Sequence, residues 1–188
     1  ALTEPLACVC HLLLDPALIN VADKVLVTGP GPMGLLAAQV ARAAGGIVTI
    51  SGLEKDKLRL DVARNLGFMI THSPEPESFD VVIECSGSEG GIGVALKSAR
   101  RGARYVAVGI VGHDVKISAD IILYKELLVS SGFASTPHSW NRALKLLENA
   151  SVSLAPLISR VEPLENWPEV FKDLKNADVL KIVFDPRI

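Results

Sequence analysis

Aromatic side chains are scarce, 5% of 188 residues against 49% apolar residues overall, so any core must be aliphatic. No apolar run reaches the roughly 18 residues of a membrane-spanning helix. The early apolar stretch, residues 6–14, holds two cysteines and a histidine and has no basic leader, so it does not read as a signal peptide. Charge of one sign is also lacking. The formal net charge is −2, with lysines and arginines scattered, which leaves no electrostatic case for nucleic acid or an acidic membrane as partner. Cysteine is limited to Cys8, Cys10 and Cys85. An odd count without paired spacing argues against a disulfide framework and fits a reducing, cytoplasmic setting. On one helix, Cys8 and Cys10 would point about 200° apart, a poor clamp for a metal. All three thiols are therefore expected as small buried hydrophobes. His11, His72, His113 and His138 show no metal-ligand spacing, and there is no internal repeat or low-complexity segment.

What is present is a succession of short runs rich in Val and Ile, as in strands buried on both faces of a parallel sheet. The chain opens on a helix, with Thr3 expected to cap and Glu4 and Pro5 in the first turn. A helix starting at once from Ala1 reads as part of a longer protein. Strands are expected at residues 25–28, 47–51, 68–71, 79–85 and 103–108. Helices are expected at 33–44, 56–66 and 92–99, the first two stopped by Gly45-Gly46 and Gly67. Residues 73–78, with Pro74 and Pro76, read as a loop. Further on, 115–117 is a short extended piece, 119–124 a short helix, 127–131 a strand and 137–148 a helix. Residues 157–160 read as extended, 164–175 as helical and 179–184 as extended. Trp140 and Trp167 are expected in the core or at an interface. The alternation predicts an α/β fold, a Rossmann-type doubly wound parallel sheet, followed by a strand-helix-strand piece in a second lobe.

Gly29-Pro30-Gly31-Pro32-Met33-Gly34 is G-x-G-x-x-G between a strand and a helix, the context that gives this motif meaning. The first glycine makes the tight turn, the second lets backbone approach a pyrophosphate, and the third lets helix and strand pack closely. The helix start then offers free N–H groups to phosphates. This predicts a dinucleotide as ligand, the alternatives being a purely structural turn or a different adenosyl ligand. An acid at the end of the second strand would grip the ribose 2′-hydroxyl, but that position holds Gly52. The missing carboxylate, with Lys55, Lys57 and Arg59 nearby, favours NADP. Glu54 could instead reach the ribose and restore NAD. The loops after later strands should line the same crevice: Ser86-Gly87, Gly109-Ile110 and Gly132-Phe133. A methyltransferase using S-adenosylmethionine is disfavoured, because that fold usually keeps the acid that Gly52 replaces.

Taken together, these residues resemble the zinc-dependent medium-chain dehydrogenase/reductase family, in its polyol, sorbitol and threonine dehydrogenase branch. The resemblance begins with Ala1-Leu2-Thr3-Glu4-Pro5-Leu6-Ala7 and runs through Asp23 to Gly34. It continues in Phe79-Asp80-Val81-Val82-Ile83-Glu84-Cys85-Ser86-Gly87 and in Leu157-Ile158-Ser159-Arg160. It implies a linking helix at residues 1–18, an NAD(P)-binding Rossmann domain at 19–156, and a return to the catalytic domain at 157–188. It implies that an intact parent oxidises a secondary alcohol or polyol with NAD(P). Zinc there polarises the alcohol oxygen, on ligands in an amino-terminal domain outside this chain, so this portion alone is expected to be inactive. By the same resemblance Glu4 approaches the metal, Lys181 faces the cofactor phosphates, and the protein is a homo-oligomer. Two other readings stay open: a non-catalytic dinucleotide-binding regulatory module, and a zinc-free reductase of the same superfamily. One departure from the family is plain. Only a proline-containing loop joins the third and fourth strands, where the family carries a helix.

Overall fold

A computed structural model describes residues 1–173 and 179–188. Helix α1 (Thr3–Leu14) opens the chain. It starts from Leu2, with Thr3 already helical and no side-chain cap. The expected cap by Thr3 is therefore not made, and burial of Leu6, Val9, Cys10 and Leu13 is what holds the helix. Six parallel strands follow, β1 (Lys24–Thr28), β2 (Ile47–Ser51), β3 (Met69–Thr71), β4 (Phe79–Glu84), β5 (Ala99–Ala107) and β6 (Leu128–Ser131). Their order is β3-β2-β1-β4-β5-β6, the Rossmann order in which the chain reverses between β1 and β4. The crevice for a ligand opens at that reversal, outside the carboxyl ends of the strands.

Aliphatic side chains carry the core, as the shortage of aromatics requires. Val25, Val27, Ile50, Val81 and Ile83 from the sheet pack with Leu35, Leu36 and Val40 of α2 (Pro32–Ala43) and Leu6 and Leu13 of α1. On the other face, Leu26, Val82 and Tyr105 pack with Ile92 and Leu96 of α4 (Glu89–Ser98). Helix α2 ends at Gly45 (φ +102°) and α3 (Lys57–Asn65) at Gly67 (φ +82°), left-handed positions that suit glycine. No helix separates β3 from β4, so that departure from the family pattern is a property of the fold.

Strand β5 begins at Ala99, four residues earlier than its apolar run suggests, and shifts register between its pairing with Phe79 and with Val81. The buried Lys125 explains the early start. Its ammonium donates to the carbonyls of Leu96 (3.0 Å), Lys97 (2.8 Å) and Ala99 (2.7 Å). It thus satisfies the last carbonyls of α4 and holds the strand start beside them. Residues 115–117 form no strand. Helix α5 (Asp120–Tyr124) is short, and α6 (Pro137–Glu148) starts with a capping box between Thr136 and Ser139. A separate two-stranded parallel sheet joins β7 (Ile158–Glu162) to β8 (Lys181–Phe184), with α7 (Trp167–Asp173) between them in sequence. The end of the helix expected at 164–175 lies outside the described residues. Trp140 and Trp167 are exposed rather than in the core. Trp140 donates to the Ser135 hydroxyl, and Trp167 packs edge-on against Phe171.

Candidate functional site

A cavity of about 650 Å³ lies at the carboxyl ends of β1, β2 and β4, within the range of sites for small organic ligands. The glycine turn forms one wall, and its glycines do different work. Gly29 has φ +90°, and a Cβ there would lie 2.8 Å from the Ser86 backbone. At Gly34 a Cβ would sit 1.9 Å from the Gly29 carbonyl oxygen, so this glycine is what lets α2 close on the turn. Gly31 lines the cavity, and a Cβ on it would meet nothing within 4 Å. Its bare backbone therefore keeps space open for a ligand. Helix α2 starts from Gly31 with no side-chain cap. Pro32 has no N–H to offer, so Met33 and Gly34 present the free N–H groups of the helix start to the cavity end. These features fit the pyrophosphate of a dinucleotide.

The wall at the end of β4 is organised by Glu84, which is 1% exposed. One of its carboxylate oxygens accepts from the Ser86 N–H (2.7 Å), the Ser86 hydroxyl, the Gly87 N–H (3.2 Å) and the Thr28 hydroxyl (3.4 Å). Gly87 (φ +59°) and Gly109 stand back to back, since a Cβ on Gly109 would lie 2.3 Å from the Gly87 nitrogen and 2.7 Å from the other Glu84 oxygen. The loops after β4 and β5 thus touch through glycines. The Cys85 thiol is pushed far up by burial and by the neighbouring Glu84 charge, which suits a small packed hydrophobe rather than a nucleophile.

At the end of the cavity beside β2 and β3 stand Gly52, Lys55, Asp56, Arg59 and His72. A Cβ on Gly52 would come within 2.9 Å of Pro30 Cγ and 3.2 Å of Leu60. The missing acid is therefore enforced by packing, because the proline ring of the glycine turn occupies the room a side chain would need. The Asp56 carboxylate accepts from the Leu53 N–H at 3.0 Å and closes the turn after β2. Arg59 donates to the Val179 carbonyl at 3.1 Å and lies 3.9 Å from Asp56. It also borders a second cavity of about 280 Å³ next to Ile158 and Leu180.

Of the residues expected from the sequence, Gly29, Gly31, Gly52, Arg59 and Ser86 line the cavity. Gly34, Gly87 and Gly109 pack directly behind it. Lys57, the first residue of α3, is exposed and off the wall, and Lys55 stands there instead. Ile110 and Phe133 are 80% and 84% exposed at the strand ends, and Gly132 rests against His11 and Leu12 of α1. Lys181 begins β8 in the second sheet, paired with Ile158, and is not brought to the cavity. His72 was not singled out from the sequence, yet it lines the cavity. The signal lay in the strand order: β3 runs beside β2 with Thr71 opposite Ser51, so the residue after Thr71 falls beside Gly52.

Glu4 is exposed on α1 and accepts from the Cys8 thiol at 3.1 Å. Burial, then the hydrogen bond and charge of Glu4, push the Cys8 thiol up to about 11. Among the described residues no three His, Cys, Asp or Glu side chains gather to hold a metal. A zinc ion needs at least three protein ligands, so these residues do not by themselves build such a centre. No described helix is long and apolar enough to cross a membrane.

The sequence profile of the family described as zinc-binding dehydrogenase matches residues 32–149. The chain is 32% identical to sorbitol dehydrogenase of Halalkalibacterium halodurans, over 99% of this chain and 58% of the relative. It is 25% identical to D-arabitol-phosphate dehydrogenase of Enterococcus avium, over 98% of this chain and 56% of the relative. A zinc-binding dehydrogenase from Sinorhizobium meliloti, solved bound to NADP, superposes with a TM-score of 0.85 and 30% identity, over 98% of this chain and 58% of that one. The chain thus spans a little over half the length of these relatives. The profile runs from the start of α2 to just past the end of α6, so the glycine turn, residues 29–34, straddles its beginning. On that evidence the chain belongs to the zinc-binding dehydrogenase family.

Proposed function

We propose that this chain is the NAD(P)-binding portion of a zinc-dependent alcohol or polyol dehydrogenase. The whole protein would transfer hydride between a secondary alcohol and nicotinamide. The observation that carries this reading is the 650 Å³ cavity at the strand-order reversal, with Gly31 leaving its floor open beside the uncapped start of α2. When bound, the dinucleotide supplies the hydride acceptor. The chain's own residues do the positioning. The helix start takes the pyrophosphate, the turn held by Glu84 takes the ribose on the nicotinamide side, and the loops at Ile110 and Phe133 flank that end. The exclusion of a side chain at Gly52, with Lys55 and Arg59 on the wall, supports NADP over NAD. Residues 1–18 are the linking helix, 19–156 the cofactor domain and 157–188 the return toward the catalytic domain, in line with the separate β7–β8 sheet. Glu4 faces that domain's metal, and Lys181 reaches the cofactor phosphates only if β8 shifts toward them. The whole protein is cytoplasmic and homo-oligomeric. The three free thiols of this chain suit a reducing compartment, and the exposed Leu128 and Val129 on the edge strand β6 suit self-pairing.

Calorimetric titration of the chain with NADPH and then NADH tests the reading. Submillimolar binding of either supports a dinucleotide site, and tighter NADPH binding supports the NADP assignment. Absence of binding by both at millimolar concentration overturns it.

A further inference from the structure

The carboxylate of Glu84 is buried and forms no ion pair among the described residues. Four neutral donors from Ser86, Gly87 and Thr28 stand in for a cation, and all four reach the same oxygen. Such charge-assisted bonds hold the carboxylate but leave its net charge in place. None of the four donors reaches the second oxygen. It lies against Gly109, 2.7 Å from where a Cβ would stand. The field is therefore left open toward the loop after β5, where Gly109 and Ile110 meet Gly87. Two neighbours feel it. Burial first, then the Glu84 charge, pushes up both the Cys85 thiol and the Tyr105 hydroxyl. In a low-dielectric interior a charge acts more strongly at a given distance than it does in water.

We infer that Glu84 is a specificity-determining residue for the oxidation state of the cofactor, its buried negative charge holding the oxidised nicotinamide, a cation, more tightly than the neutral reduced ring. This rests on the dinucleotide reading above. In a doubly wound sheet the glycine turn and the end of β2 serve the adenosine half, and the other nucleoside lies across the reversal, beside the ends of β4 and β5. Glu84 closes β4, and the turn that it holds forms that wall. Pyrophosphate and adenosine are the same in both oxidation states, so only the ring reads the charge. Alcohol oxidation consumes the oxidised form and leaves the reduced one. A negative charge at this place retains the form that the reaction consumes and lets the reduced form leave sooner.

The test titrates the wild-type chain, Glu84→Gln and Ser86→Ala by calorimetry with NADP+ and NADPH, and with NAD+ and NADH. The readout is the Kd of the oxidised form divided by that of the reduced form, within each couple. Glu84→Gln keeps the shape and one acceptor oxygen and removes the charge. It is expected to raise the ratio about fivefold, mainly through weaker binding of the oxidised form. Ser86→Ala removes a donor and keeps the charge, so it is expected to lower the ratio by about twofold. A turn that is merely loosened weakens both forms alike and leaves the ratio where it was. An unchanged or lowered ratio in Glu84→Gln therefore overturns the inference while the dinucleotide site stands. So does a rise in Ser86→Ala that matches the rise in Glu84→Gln. Should Glu84→Gln not fold, Ser86→Ala decides alone: a lowered ratio supports the inference, and an unchanged or raised one overturns it. Failure of the wild type to bind any of these ligands overturns the dinucleotide reading, and the inference with it.

Discussion

Glu84 shows how much one side chain at a strand end can organise. Its carboxylate is buried and accepts from two backbone N–H groups and two hydroxyls. Glu84→Ala leaves those donors without a partner inside the protein, at about 1–3 kcal/mol for each that water cannot reach. It should lower the midpoint of thermal unfolding and weaken NADPH, with Glu84→Gln falling between it and the wild type because an acceptor oxygen remains. Melting curves with and without NADPH check this. Asp80 gives a prediction in pH. Burial alone would raise its carboxyl. The Arg100 hydrogen bond, the Lys24 N–H and the charges of Arg100 and Arg104 outweigh that and hold it below the ordinary value. The folded carboxyl keeps its charge to lower pH than the unfolded one. The stabilisation is therefore present near neutrality and is lost as pH falls through the folded value. Asp80→Asn should reduce stability at neutral pH and flatten the acid limb, read by circular dichroism across an acid titration.

At the scale of elements, α4 and β5 depend on a residue far along the chain. Lys125 satisfies three carbonyls at their junction. Lys125→Met keeps the apolar stem and removes the donors, so it should destabilise by about 2–3 kcal/mol, measured by urea unfolding. The junction also marks where sequence reading stopped. Most strands and helices were legible from apolar runs and glycine stops, because aliphatic strands between glycine turns leave few other arrangements. The early start of β5 was not, because its cause is a side chain 26 residues away from Ala99. His72 was hidden for a similar reason: it becomes a wall residue only once β3 lies beside β2. Of the two lysines named after β2, only Lys55, in the short 3₁₀ turn at Glu54–Asp56, reaches the cavity wall, while Lys57 opens α3, a boundary that composition does not mark. For the tryptophans, expected in the core or at an interface, the fold leaves both at the surface and so removes the core from that pair of alternatives.

On the scale of the whole molecule, the second sheet is stitched to α3 at the edge of the larger cavity. Arg59 borders both cavities and holds the Val179 carbonyl just before β8. Arg59→Ala should speed amide hydrogen exchange in β7 and β8 more than in β1 or β4. If Arg59 served only as a phosphate contact, NADPH affinity would fall while exchange in the second sheet stayed unchanged. The distinction matters because a tether of this kind makes the position of β8 sensitive to what occupies that end of the cavity. The contact between Pro30 and Gly52 has a different reach, into the order in which changes can accumulate. An aspartate at position 52 is the obvious route to NAD, yet its Cβ would strike a rigid ring 2.9 Å away. Gly52→Asp alone should cost stability and bind neither cofactor well, whereas the same change with Pro30→Ala should fold and favour NADH, as paired melting curves and titrations would show. By this route a new side chain at position 52 comes only after the proline has gone, so a contact of 2.9 Å sets the order in which two substitutions can be made.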